Sequence, residues 1–256
     1  MPLKAFIKLK ARESIDTSII TPDKVHGLFF NLIGEELAKK LHEDYRNIKP
    51  YTIYCGDIFN TKTAKVINIE VNLLDENLIP EFLSQLVLNR KENFLNLNNR
   101  EVPISHNLTV PQNWLKPYSV LYKETPLSTK VTLKFLSPTT FRREQVDYPF
   151  PSPELVFKGL VKKWLAFSNI PIGADLREYY SSIEIEKFNL RTTKVVFSSI
   201  GKLTAFVGEI TYNLSRIKNR EIMRWFNILL ELSKWSGIGK KTTMGLGKVK
   251  VLSKEV

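Results

Sequence analysis

One order of elements occurs twice in this chain, and it constrains the fold more than any other feature. Residues 3–10 alternate, with Leu3, Ala5, Ile7 and Leu9 on one face and mostly basic residues on the other, as in a strand with one buried side. Thr21-Pro22-Asp23 then supplies an N-cap and a proline at the first helical position. Val25, Leu28, Phe29, Leu32, Ile33, Leu37 and Leu41 follow at helical spacing. Residues 51–55 and 65–74 read as strands, 77–90 as a helix and 101–110 as a strand. After Pro111, Pro117 and Pro126 the order begins again. There is a strand at 130–136, then a helix at 152–167 opened by Ser152-Pro153. Strands at 191–197 and 205–214 flank a Ser-Gly turn; a helix at 219–235 and a short strand at 248–252 complete the set, while 175–190 has no clear assignment. Two β-α-β-β-α-β runs predict an α+β chain of two tandem ferredoxin-like (RRM-like) domains, 1–110 and 129–256, joined by a linker at 111–128. Each is expected to place two helices on one face of a four-stranded sheet. The duplication is one of pattern; no sequence repeat accompanies it.

A chain of 256 residues can bury such cores without a disulfide or metal staple. Its single cysteine, Cys55, excludes an intramolecular disulfide and a cysteine-built zinc site, and is expected to be a small buried residue near a strand. No apolar run approaches the roughly 20 residues of a membrane span. Met1-Pro2-Leu3-Lys4 runs straight into charged alternation without a signal-peptide core. The expectation is a cytoplasmic protein with no membrane partner.

Charge narrows the partner. Residues 1–128 hold 16 basic and 15 acidic side chains, whereas 129–256 hold 22 basic and 11 acidic, so nearly all of the +12 lies in the second half. A pI near 9.6 with that asymmetry fits a polyanion, most simply a nucleic acid. The open sheet of an RNA recognition motif stacks bases on aromatic residues, and that aromatic signature is absent here. The sharpest local motif is Gly237-Ile238-Gly239-Lys240-Lys241-Thr242-Thr243-Met244-Gly245-Leu246-Gly247, between the last helix and the last strand. Its glycines permit positive φ and close backbone approach, Lys240 and Lys241 add charge, and Thr242 and Thr243 add hydroxyls, a combination suited to clamping a phosphate backbone. The spacing fits neither a dinucleotide fingerprint nor a Walker A loop. Arg142 and Arg143 follow a strand in the basic half and suit phosphates or base edges. Lys158, Lys162 and Lys163 line either a groove or a solvated helix face. Trp164, Trp225 and Trp235 sit at core positions, and Trp114 is a possible stacking platform.

The glycine pattern at the end of a double ferredoxin-like chain resembles the RAMP superfamily of CRISPR-associated proteins. Within it, three further pieces resemble the repeat-RNA-processing endoribonucleases of the sixth Cas family. They are His26-Gly27-Leu28-Phe29-Phe30 with the downstream Leu41-His42-Glu43 and Lys49-Pro50-Tyr51-Thr52; Ser137-Pro138-Thr139-Thr140-Phe141-Arg142; and Pro151-Ser152-Pro153-Glu154-Leu155-Val156-Phe157, leading to Trp164. The resemblance implies cleavage of precursor CRISPR RNA within each repeat, with no metal or other cofactor. The 2′-hydroxyl beside the scissile phosphate attacks it, leaving a 2′,3′-cyclic phosphate and a 5′-hydroxyl. The implied partners are CRISPR repeat RNA and other Cas proteins of an interference complex; monomer and homodimer both remain open.

Such a reaction needs a base, an acid and positive charge, and histidine suits both proton roles. The resemblance points to His42, at the end of the first helix, as the leading catalytic candidate and to Lys49 as the charge beside it; a solvated loop lysine is the alternative for Lys49. His26 is the fallback. On a continuous helix the two histidines, 16 residues apart, would stand about 24 Å from one another and could not share a phosphate unless the helix broke, for instance near Gly34. His106, beside Asn107 on a strand, reads as structural. Phe30 stands where some relatives carry a catalytic tyrosine, so Tyr45 or Tyr51 would have to replace that hydroxyl, or His42 and Lys49 act alone. Glu35-Glu36 and Glu43-Asp44 read as solvated helix faces, and no metal site is expected. The alternative function is a catalytically silent RAMP subunit that binds and holds CRISPR RNA; a nucleic-acid-binding protein outside such systems is a third.

Overall fold

The computed structural model describes residues 1–45, 47–88, 93–97, 100–199 and 201–255. The first alternating stretch forms β1 (Leu3–Asp16), longer than expected, with Leu3, Ala5, Ile7 and Leu9 buried. Pro22 opens α1 (Pro22–Ile33), which buries Val25, Leu28, Phe29 and Leu32, while the Thr21 side chain makes no capping bond. The continuous helix expected over 21–41 does not form. Gly34, at φ +80° and ψ 164°, ends α1 and starts α2 (Glu35–Glu43). There follow β2 (Tyr51–Tyr54), the single turn α3 (Asp57–Asn60), β3 (Thr63–Leu73), α4 (Ile79–Leu88), β4 (Asn93–Leu97) and β5 (Arg100–Thr109). Neither α3 nor β4 has a sequence signal strong enough to be expected. Residues 89 and 90, the end of the helix expected over 77–90, lie outside the described residues.

The stretch expected as a linker contains α5 (Tyr118–Glu124), whose Tyr118 and Leu121 join the C-terminal core. Then come β6 (Lys130–Thr139), the small hairpin β7 (Phe141–Arg143) and β8 (Val146–Tyr148), and α6 (Pro153–Phe167). The unassigned segment resolves into a 3-10 turn, Leu176–Ser182, and the first half of β9 (Glu184–Phe197). β10 (Gly201–Asn213), α7 (Arg220–Ser236) and β11 (Val249–Glu255) complete the chain. Asn219 caps α7, its Oδ1 accepting from the Glu221 and Ile222 amides at 2.9 and 3.3 Å.

Two antiparallel sheets result, ordered β2-β3-β1-β5-β4 and β11-β6-β10-β9. In each, the first strand of the unit lies between the third and the last, with Ile7 paired to both Ile69 and Leu108, and Leu133 to both Ile210 and Val251. That is the ferredoxin-like arrangement, built twice, with β4 added to one edge of the first sheet. Phe29, Leu32 and Phe82 cover β1 in one core; Phe157, Trp164, Phe226 and Leu229 cover β6 in the other. Trp164, Trp225 and Trp235 are core residues, and Cys55 is buried. No helix among the described residues is long and apolar enough to cross a membrane.

The two units meet through buried polar groups. Glu70 on β3 pairs with Lys4 at 3.3 Å and with Lys248, which also donates to the Lys234 carbonyl at 3.0 Å. The Thr52 hydroxyl donates to the Trp235 carbonyl at 2.8 Å. β2 is thus joined to the end of α7, where the glycine-rich loop begins.

Candidate active site

The break at Gly34 brings the two candidate histidines together. α2 folds back on α1, and the rings of His26 and His42 stand 6.5 Å apart, centroid to centroid, at 84°. The separation expected of a straight helix is therefore corrected. Phe30 lies between them, 4.6 Å from each ring and stacked on that of His42. The position that lacks a hydroxyl thus serves as the apolar wall of the histidine pair. Tyr51, the first residue of β2, places its hydroxyl 3.0 Å from His26 Nε2.

The glycine-rich loop closes the other side. Gly237, Gly239, Gly245 and Gly247 all have positive φ. A Cβ on Gly239 would lie 2.5 Å from the Thr140 carbonyl oxygen, and one on Gly247 only 2.0 Å from that of Ile238, so no other residue fits either position. Many of the loop amides are spent within the protein. Ile238 donates to the Gly247 carbonyl, Lys240 to Thr140, Met244 and Leu246 to Lys241, and Gly247 to Pro138. The loop is a knot tied to the end of β6, and with these amides engaged it presents mainly side chains to its surroundings. Lys240 pairs with Asp147 on β8. Thr242 is buried, and the Thr243 side chain lies near the Tyr51 hydroxyl. Lys241 has the left-handed φ of 58°, and its ammonium lies 5.0 Å from the centre of the Phe197 ring.

The two histidines differ electrostatically. Burial, reinforced by the positive charges of His42, Lys241 and Lys49, lowers the His26 pKa to about 4. His26 is therefore a neutral imidazole near pH 7. His42 is exposed in the last turn of α2. Burial pushes the Tyr51 hydroxyl well above the usual tyrosine range, so it keeps its proton and orients His26 without competing as a base.

The other expected residues separate clearly. Lys49 donates to the Leu41 and His42 carbonyls at 2.8 and 3.3 Å, so it caps α2 beneath His42. Tyr45 is not brought to the cluster; its hydroxyl donates to Asp75 Oδ2 at 2.6 Å. His106 Nε2 lies 3.2 Å from the Leu86 carbonyl oxygen, a structural contact. Trp114 is partly buried on the N-terminal core. Arg142 and Arg143 are exposed on the β7–β8 hairpin. Lys158 and Lys162 are exposed, but Lys163 turns inward to the Ser236 and Gly237 carbonyls and holds the end of α7. Its position one residue from Trp164 is the only sequence hint of that role. Among the described residues, no three of His, Cys, Asp and Glu gather as metal ligands. A neutral and an exposed imidazole side by side, flanked by lysines, can accept and donate protons on either side of a phosphodiester.

Comparison with known proteins gives a consistent picture. The model of the CRISPR-associated endoribonuclease Cas6 family matches residues 133–249. A protein of that name from Streptococcus thermophilus is 22% identical over 231 residues, 89% of this chain and 90% of its own. One from Mycobacterium tuberculosis is 24% identical over 145 residues, 56% of this chain; the match spans 45% of that relative, less than half of its length. Among solved structures, a Cas6 product complex superposes with a TM-score of 0.81 at 27% identity, covering 98% of this chain and 99% of its own. Thermus thermophilus Cas6 gives 0.75 at 26% identity, covering 98% of each.

Proposed function

We propose that this chain, similar to the Cas6 proteins in sequence pattern and in fold, is an endoribonuclease that cuts precursor CRISPR RNA within its repeats by metal-independent transesterification. His26, neutral, accepts the proton of the 2′-hydroxyl. The freed 2′-oxygen attacks the adjacent phosphorus, and the bond from phosphorus to the 5′-oxygen breaks. His42, protonated, gives its proton to that leaving oxygen. The products are a 2′,3′-cyclic phosphate and a 5′-hydroxyl. Lys241 offsets the charge that develops on the phosphorane, and the approaching phosphate raises the basicity of His26 by opposite charge. Lys49 positions His42 through the α2 carbonyls. The exposed Arg142 and Arg143 and the basic C-terminal half hold the RNA. The observation that carries the reading is the 6.5 Å separation of the two histidine rings beside Lys241.

The test incubates the protein with repeat RNA from its own genome in EDTA, next to a substrate with a 2′-deoxy nucleotide at the scissile position. Cleavage in EDTA that disappears with the deoxy substrate, and that falls without loss of binding in both His42→Ala and His26→Ala, is expected. Cleavage that requires a divalent cation would overturn the mechanism. One observation favours a second reading, a silent RNA-holding subunit: the apolar ring of Phe30 fills the gap between the histidines. Tight, repeat-specific binding without cleavage by any form would establish it.

A further inference from the structure

We propose that Asp23 is a positioning residue whose carboxylate, by pinning the β9–β10 turn, sets where the Lys241 ammonium stands at the active site. The proposal rests on the nuclease reading for its rate measurement. Asp23 lies in the first turn of α1, three residues before His26 and so on much the same face. Its two carboxylate oxygens accept from the Ser198 and Ser199 amides, each at 3.1 Å. The Thr21 and Ser198 hydroxyls stand 2.9 Å apart and reinforce the contact. These bonds tie the N-terminal helix to a turn of the C-terminal sheet. Burial pushes the Asp23 carboxyl up, but its hydrogen bonds with Thr21, Ser198 and Ser199 outweigh that and hold it below the usual value, so it is a carboxylate at neutral pH.

The held turn begins directly after Phe197, a buried residue whose ring lies under the Lys241 ammonium. The Met244 sulfur, 3.7 Å from Lys241 Nζ, bounds the side chain further. The path therefore runs from α1 through the turn to Phe197, on to Lys241, and back to His26 on α1. A cation resting on an aromatic face depends on where that face is held. A helix that carries the base and also fixes the platform of the cation keeps both in register with one phosphate. The Asp23 charge also acts on His26 through space, favouring its imidazolium form, so only the part of its effect that vanishes when Lys241 is removed measures the positioning.

A double-mutant cycle on single-turnover cleavage by the full chain tests this. Lys241→Met should slow cleavage about 100-fold, as removal of one transition-state donor does. Asp23→Ala should slow it about tenfold through misplacement, with repeat affinity changed by less than about threefold. The double variant should be slower than Lys241→Met alone by clearly less than the tenfold of Asp23→Ala, because the group being positioned is gone and only the direct action on His26 is left. Asp23→Asn, which keeps one acceptor oxygen, should recover part of the rate, and it carries the cycle should Asp23→Ala fail to fold. Parent-like cleavage by the Asp23 variants, or losses that multiply in the double variant, overturns the proposal. A parent chain that does not cleave overturns the nuclease reading instead. In that case amide exchange decides: faster exchange at 198–199 and 240–247 in the Asp23 variant supports the positioning role, and unchanged exchange overturns it.

Discussion

His26 and His42 are the same side chain in two electrostatic settings, and that difference divides the proposed proton roles between them. His26 stays neutral down to about pH 4 because burial and three cationic neighbours disfavour its charged form. The acid limb of kcat/KM, which reports the free enzyme's base, should therefore fall near that pH. Lys241→Met removes one of those cations, so His26 should take up its proton at higher pH and the acid limb should move upward. A limb that stays in place, or moves down, would separate Lys241 from His26. The candidacy of both histidines was legible in the sequence, since only three exist and two flank one helical segment. Their division of labour was not. It depends on the burial of His26 between α1, Tyr51 and the glycine-rich loop while His42 stays exposed, and those contacts join residues far apart in sequence.

At the level of elements, the decisive feature is a helix that stops. The apolar spacing from Val25 to Leu41 is continuous, so pattern alone favours one long helix. Only Gly34 marks the break, and a lone glycine inside a helical pattern is an ambiguous sign. Its φ of +80° with ψ of 164° lies in a region essentially restricted to glycine, and an added Cβ would meet Gln85 Oε1 at 3.0 Å. Gly34→Ala should therefore destabilise the protein by about 1–3 kcal/mol in urea denaturation. It should also depress cleavage more than repeat binding, because the α1–α2 angle sets the distance between the histidines while the basic surface is untouched. Equal losses in both would show that the angle does not govern the chemistry. Elsewhere, caps and prolines made α6 and α7 readable to within about a residue. The edge strand β4 and the turn α3 were not readable, since their short runs find partners only through the sheet and the second unit.

The asymmetry of charge between the two halves was visible in composition, and it points toward a polyanionic partner. How the halves are joined was not visible, because Lys4, Glu70 and Lys248 are ordinary charged residues on alternating strands until the fold brings them together. The side chains of Glu70 and Lys248 are each only 10% exposed, and Asn72 Nδ2 donates to both Glu70 Oε1 and the Thr52 hydroxyl at 3.1 Å. Glu70→Gln keeps the shape but leaves two lysines facing each other with no counter-ion. Because one partner of a buried pair is removed, the loss should be about 3 kcal/mol. Burial raises the Glu70 pKa, but the charges of Lys248 and Lys4 outweigh it and hold the carboxyl below its ordinary 4.5. Its contribution is therefore complete above that value and is lost as pH falls through the depressed one. Urea denaturation of the parent and Glu70→Gln should show a wide gap at pH 7 that narrows below pH 4.5. A gap that stays constant with pH would mean that the ionised carboxylate is not what joins the two sheets. The same junction anchors β2 to the end of α7. Tyr51, which orients His26, opens that strand, and the glycine-rich loop leaves that helix, so loosening the junction should also slow the proposed cleavage at neutral pH.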